Sequence, residues 1–321
     1  MAYVLEPSPI PYLSTGTYHA HYPTPTGIPV DPTLTGPGVK QSHELAAHVS
    51  SAEFKPKPCR IYCSPFYRCL QTIQPTVEAL KDLQKHEKKG NVDLDVRMEN
   101  GLGEWFGSSS FFTHPSPASF DLLEPLFPAL ISSSYTAHVR PSPSGETISQ
   151  LHDRVATTLE AIIADVDSEI DEYERTHPED VQESYAIIIC AHAAPLIAMG
   201  RTLTGHMPDD SSTEDFKVFT AGLSTFRRRN QSSDMPAPFR GSETHESNQT
   251  ISGKRIPSWR GERGVGGGWD CVVNGECGFL SNGAERGWHF HGEEDFNSMP
   301  TPIVVVDSGS KEDSSRSSTK L

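Results

Sequence analysis

The sequence is short of apolar residues, of positive charge and of long hydrophobic runs. Apolar residues make up 35% of the 321. That is low for a chain that is globular throughout, so part of it is expected to lie outside a folded core. Lys and Arg number 27 against 42 Asp and Glu, a formal net charge of -15. Phosphate backbones are neutralised by Lys and Arg, so direct sequence-specific nucleic-acid binding is not expected. No arginine precedes residue 60, and the compact arginine run is Arg227-Arg228-Arg229. No apolar stretch is long enough to span a bilayer. The N-terminus lacks the basic region and apolar core of a signal peptide. A membrane partner is therefore not expected. Six cysteines show no secreted-scaffold spacing, so reduced thiols in the cytoplasm or nucleus are the expectation.

What is present is organised around Ala186-Ile187-Ile188-Ile189-Cys190-Ala191-His192-Ala193-Ala194-Pro195. A continuous apolar run of this length reads as a strand buried on both faces, as in a parallel sheet. It ends at one histidine followed by small residues. In open α/β sheets ligands bind beyond the carboxyl ends of strands, and His192 sits at such an end.

Other elements follow in order. Residues 1–26 are Pro-rich and read as an irregular arm. Val39, Leu45, Ala46 and Val49 have roughly helical spacing. Arg60 to Ser64 reads as a short strand, and Ser64-Pro65 as a helix start with Ser64 at the cap. Leu70, Ile73, Val77 and Leu80 share a face, and the charged run 81–89 reads as a solvated loop. Asp93 to Met98 is a further strand candidate. Residues 111–143 form a long Pro- and Ser-rich excursion whose aromatics suggest a lid. Gly145-Glu146-Thr147 opens the strongest helix, with a stripe from Ile148 to Ile170. An acidic loop is expected over 171–183, a helix from His192 to about Gly205, and strand character over 216–226. Residues 230–265 read as a disordered linker. In 266–292, Asn274-Gly275 and Asn282-Gly283 suggest a small β meander docked on the main domain. Residues 293–321 read as a disordered tail. Alternating strands and helices indicate an α/β fold with helices on both faces of the sheet.

Three residues at strand ends could do chemistry. Arg68 falls in the first turn of a helix, where anions are favoured and a guanidinium can grip phosphate oxygens. Glu104 is flanked by Trp105 and Phe106, surroundings that can raise a carboxyl pKa and suit a general acid. His192 is the third. Each taken alone has a plainer reading: a paired surface arginine, a solvated loop carboxylate, a satisfied histidine at a strand end.

Together the segments resemble the histidine phosphatase superfamily, the phosphoglycerate-mutase-like family. Arg60 to Thr72 resembles its strand, Ser-Pro, Arg and Gln-Thr segment. Asp31 to Thr35, with Gly38 and Gln41, resembles the segment upstream. Gly101 to Trp105 resembles its acid loop, Gly145-Glu146-Thr147 with Asp153-Arg154-Val155 its Gly-Glu-Ser element, and Ile187 to Ala193 its second-histidine strand, with Ala193 where glycine is usual. Five weak motifs in order make a specific match, placed over 27–229. The resemblance implies a phosphoglycerate-mutase-like three-layer sandwich with a mostly parallel central sheet. It also implies phosphomonoester hydrolysis through a phosphohistidine, on a phosphorylated small molecule or phosphoprotein, with no metal or organic cofactor. By position Arg68 would bind the substrate phosphate, and Glu104 and His192 would be catalytic, as proton donor and second pocket histidine.

The sequence departs from the family in one respect: it contains no Arg-His-Gly, the motif that carries the nucleophile. His19 and His21 are the histidines in the corresponding part of the arm, and no arginine neighbours them. Impaired hydrolysis is therefore expected. A second implication competes. A domain of this kind with a comparable C-terminal extension resembles the phosphatase-like subunit of transcription factor IIIC, which implies a non-catalytic interaction role with protein partners in a nuclear RNA polymerase III transcription assembly. A zinc arrangement of Cys271, Cys277, His289 and His291 is a third alternative. Its spacing is irregular for zinc, and packing of these side chains is the favoured reading.

Overall fold

The computed structural model describes residues 16–20, 23–87, 92–181, 184–229, 249–292 and 296. In chain order its elements are α1 (Gly36–Ser50), β1 (Pro58–Cys63), α2 (Tyr67–Glu87), β2 (Val96–Met98), α3 (Phe120–Leu123), α4 (Ile148–Thr176), β3 (Ala186–Cys190), α5 (Ala193–Thr204), β4 (Leu223–Arg228), β5 (Thr250–Ile251), β6 (Lys254–Arg255) and β7 (Trp269–Glu276). His21 and residues 293–295 and 297–321 of the expected tail lie outside the described residues.

The centre is a parallel sheet in the order β2-β1-β3, with Ile61 opposite Val96 on one side and Ile188 on the other. Successive strand side chains point to opposite faces, and this alternation builds the three layers. Tyr62, Ile187 and Ile189 pack with Leu151, Val155, Leu159, Ile162 and Ile197 of α4 and α5. Ile61, Cys63, Ile188 and Cys190 pack with Leu45, Val49, Leu70, Ile73 and Val77 of α1 and α2. The fold is the expected α/β sandwich with a parallel central sheet.

The longest helix owes its start to sequence chemistry. Thr147 caps α4 and Gln150 returns the bond, a reciprocal capping box. Gln150 N–H donates to Thr147 Oγ1 at 3.2 Å and Thr147 N–H donates to Gln150 Oε1 at 2.9 Å. Thr147→Ala is expected to cost about 1 kcal/mol, measurable by urea denaturation.

Two expected loops begin as helix instead. α4 continues to Thr176, into the acidic segment 171–183, where Arg175 pairs with Glu172 three residues back. α2 continues to Glu87 through the charged run. Lys81 pairs with Asp95, and Lys85 with Asp82. Charged residues at helical spacing supported these turns rather than ending them. α5 ends as expected, with Gly205 as a left-handed cap.

The C-terminal segment is arranged differently from the expected meander. β7 runs straight through Asn274-Gly275 and pairs antiparallel with β4, with irregular register beside Thr225. Asn274 is diverted from a turn by tertiary bonds. Its side-chain oxygen accepts from Lys217 N–H at 2.8 Å and its amide donates to the Asp215 carbonyl at 2.9 Å. Residues 230–248 of the expected linker 230–265 lie outside the described residues; in the described remainder β5 and β6 form a hairpin, and Trp259 is buried, with its ring stacked on His152. Phe290 is buried against Trp105 and Trp288. Among the described residues no group of three or more His, Cys, Asp or Glu is placed to hold a metal, so the alternative built on Cys271, Cys277, His289 and His291 is not assembled. Two residues of the arginine run are paired: Arg228 with Asp167 and Arg229 with Asp270. No described helix is long and apolar enough to cross a membrane.

Candidate active site

The carboxyl ends of β1 and β3 bring two of the candidate residues together. β1 ends at Cys63 opposite Cys190 of β3. Ser64 N–H donates to the Cys190 carbonyl at 2.9 Å, so Ser64 and His192 leave the sheet side by side. Ser64 Oγ lies 2.7 Å from His192 Nε2. The sequence cast Ser64 as the cap of α2. The capping carboxylate is instead Asp31, which accepts from Tyr67 N–H at 2.7 Å and Arg68 N–H at 3.4 Å.

Arg68 and Asp31 are both buried. Arg68 Nη1 donates to the Val30 carbonyl at 2.8 Å and lies 3.3 Å from Asp31 Oδ1. Gln71 secures the same upstream segment by accepting from Leu34 N–H at 2.8 Å. Phe66 is the floor. The Arg68 guanidinium lies 4.6 Å from its ring centre, and the His192 ring meets it edge-on at 4.8 Å.

Glu104 closes the cluster from the loop after β2. Its Oε2 is 2.9 Å from Arg68 Nη2 and 3.2 Å from His192 Nδ1. Arg68 Nη2 is itself 3.0 Å from that nitrogen. Glu104 Oε1 accepts from Trp105 N–H at 3.1 Å. A single carboxylate oxygen is therefore held by a guanidinium and an imidazole at once. All three candidates, Arg68, Glu104 and His192, meet in this one cluster. His19 is exposed, whereas Arg68 and His192 are buried and Glu104 is half-buried.

The electrostatics correct one expectation. Burial alone would raise the Glu104 pKa, but His192 first, then Arg68 and the Trp105 N–H, hold it down at about 2. The aromatic neighbours do not make it a ready acid in this arrangement. His192 moves the other way. Burial opposes its charge, yet Cys69 and Glu104 outweigh burial and raise its pKa above the usual imidazole value. The Cys69 thiol is itself pushed well up by burial. With that thiol protonated, Glu104 is the charge that pulls the His192 pKa upward. Asp31 is pushed up by burial despite Arg68 and the two backbone donors.

Sequence reasoning missed Ser64, Phe66, Cys69 and the pairing of Asp31 with Arg68. Asp31 stood only within a matched segment. Its role depends on a chain crossing that no local pattern encodes.

A parallel three-layer sandwich with arginine, histidine and glutamate converging beyond its strand ends defines a class. The model of the histidine phosphatase superfamily (branch 1) matches residues 21–236, more than half of the chain, and the chain belongs to that superfamily. It is 28% identical over 284 residues to the transcription factor tau 55 kDa subunit of Saccharomyces cerevisiae, covering 87% of this chain and 56% of that protein. It is also 28% identical over 195 residues to the ecdysteroid-phosphate phosphatase of Drosophila melanogaster, covering 58% of this chain and 21% of that protein. Among solved structures it is similar to the ecdysone phosphate phosphatase of Bombyx mori in complex with tungstate, at 18% identity and a TM-score of 0.37, over 57% of this chain and 62% of that one. The chain spans about half the length of the first relative and about a fifth of the second.

Proposed function

We propose that the chain carries a phosphomonoester-binding site of the histidine-phosphatase type, with Arg68 and His192 as the oxyanion clamp and Glu104 as the proton donor. The observation that supports this best is the shared carboxylate oxygen: Glu104 Oε2 occupies a seat made by Arg68 Nη2 and His192 Nδ1. A phosphoryl oxygen offers those cations the same partner with more charge. When a phosphoryl group takes the seat, Glu104 loses the partners that depress its pKa. Burial then dominates and makes it a proton donor. Positioning and positive charge are what phosphoryl transfer needs most. Hydrolysis through a phosphohistidine is expected to be weak, because the sequence contains no Arg-His-Gly.

The test is calorimetric titration with tungstate, a tetrahedral oxyanion, alongside turnover of a phenyl phosphate ester. Wild type is expected to bind tungstate, and His192→Ala to weaken binding about tenfold or more. Binding unaffected by His192→Ala would refute the clamp.

A second reading has its own support. The overlap with the tau 55 kDa subunit takes 87% of this chain. A match of that length cannot stop at residue 236, where the family match ends, so it takes in C-terminal chain beyond the phosphatase-like domain. We infer a role as a subunit of a nuclear RNA polymerase III transcription factor assembly, with protein rather than nucleic-acid contacts. Gel filtration of native nuclear extract is expected to place the protein in a large complex with the other factor subunits. Elution as a monomer would argue against it.

A further inference from the structure

We propose that Arg154, acting through Glu146, is the positioning residue that sets Glu104 against Arg68 and His192; this rests on the oxyanion-site reading above. Arg154 stands on α4 and is fully buried. Its Nε lies 2.9 and 2.8 Å from the two carboxylate oxygens of Glu146. Its Nη1 donates to the carbonyls of Gly101 at 2.7 Å and Gly103 at 3.1 Å. Gly103 immediately precedes Glu104.

The residues after Glu104 are held by the same partner. Trp105 Nε1 donates to the Glu146 carbonyl at 2.8 Å, and Glu146 N–H donates to the Phe106 carbonyl at 2.9 Å. Arg154 therefore grips the backbone before Glu104, and the main chain of its ion-pair partner Glu146 holds the Trp105 ring and the Phe106 carbonyl after it, which leaves the Glu104 carboxylate to Arg68 and His192. The fit has no slack. A Cβ on Gly101 would lie 2.1 Å from Thr158 Oγ1 of α4, and one on Gly145, whose φ is +75°, would lie 2.1 Å from the Gly107 carbonyl oxygen.

Only a guanidinium can serve a carboxylate and two carbonyls together; an ammonium is a point donor on a flexible stem. A functional constellation loses its geometry when displaced by about 0.5 Å, so a mount of this kind acts on the site without touching it. The loop has a separate anchor at its entry. Glu99 accepts from Gly101 N–H at 2.8 Å, from Tyr135 OH at 2.7 Å and from His138 N–H at 2.7 Å. Tyr135→Phe removes one bond there and leaves the Arg154 clasp intact, which makes it the control.

The experiment follows the His192 imidazole by NMR in histidine-labelled protein, with the resonance assigned by comparison with His192→Ala. Cys69, Glu104, Arg68 and Ser64 are the polar groups facing that ring. Glu104→Gln is expected to lower the His192 pKa by about one unit. Arg154→Lys and Glu146→Gln are expected to reproduce most of that drop while near-ultraviolet circular dichroism stays native, and Tyr135→Phe to leave it unmoved. A wild-type His192 titration in a folded Glu146→Gln or Arg154→Lys protein, with Glu104→Gln shifted, would overturn the proposal. Should Arg154→Lys not fold, Glu146→Gln decides. Tungstate titration of the same wild-type protein is read separately: absence of binding defeats the oxyanion reading and leaves the His192 result standing.

Discussion

Arg68→Ala is expected to destabilise the fold by about 3–5 kcal/mol and to weaken tungstate binding by about 30-fold or more. The first effect comes from what is left behind. Arg68 is the cation beside Asp31, which is 0% exposed, and beside Glu104. Truncation strands Asp31 in the interior and leaves Glu104 to His192 alone, and an uncompensated buried charge is far costlier than the pair was beneficial. Asp31 offers partial relief. Burial already pushes its carboxyl up, and Arg68 leads the groups that pull it down. Without Arg68 the folded protein will bind a proton there more tightly than the unfolded chain does. A group with a raised folded pKa gains stability as pH falls, so the gap between variant and wild type should narrow from neutral pH toward about pH 5. Adding Asp31→Asn to Arg68→Ala should recover part of the loss, a coupling visible in a double-mutant cycle. Urea denaturation at both pH values measures all of this. A cost for Arg68→Ala below about 1 kcal/mol would place the pair in the surface class, and the buried clamp would not stand.

The parts of this site that were legible in the sequence are those carried by local pattern. The isoleucine run marked β3 and put His192 at its end. Gly145-Glu146-Thr147 marked the start of α4, and Gly205 the end of α5. Arg68 and Glu104 emerged because each stands just past a strand. What was hidden depends on chain crossings. Ser64 read as a helix cap because Ser-Pro usually is one, but Asp31, brought from 37 residues away, took the capping bonds and released Ser64 to His192. Asn274-Gly275 read as a turn because its local preference is strong, yet bonds to Asp215 and Lys217 kept it in a strand. Trp259 lay in a segment whose composition suggested disorder, and one buried aromatic on α4 outweighed that average. The sign of the Glu104 shift was hidden for the same reason. Trp105 and Phe106 are visible beside it in sequence, whereas the two groups that decide its pKa come from the first turn of α2 and from the residue that opens α5.

Glu104→Gln tests that last point most directly, and it is expected to tighten tungstate binding by about tenfold or more while flattening the acid limb of the stability profile. In the wild type an incoming oxyanion must displace Glu104 Oε2 from both cations; the neutral amide competes weakly. The carboxyl is held at about 2 against an ordinary value of 4.5, which corresponds to about 3 kcal/mol of linked stability. The folded pKa is depressed, so this contribution is complete above the ordinary value and disappears as pH falls from about 4.5 to about 2. Asp31, shifted upward, has the opposite sign and offsets part of that loss. His192 governs the other limb. Its folded pKa is raised, so its contribution is complete below 6.5 and disappears as pH rises through the folded value. Removing the Glu104 charge should therefore flatten the acid limb and also weaken the alkaline one, because His192 loses the carboxylate that holds its proton. Between about pH 5 and pH 8 the carboxylate remains ionised in the resting wild type, but His192 gives up its proton more readily once the Glu104 charge is gone, so the binding advantage of Glu104→Gln should be largest at the acid end of that range and shrink toward the alkaline end. If binding weakens instead, Glu104 donates a proton to the bound oxyanion, and its protonated form rather than its charge is what the site uses.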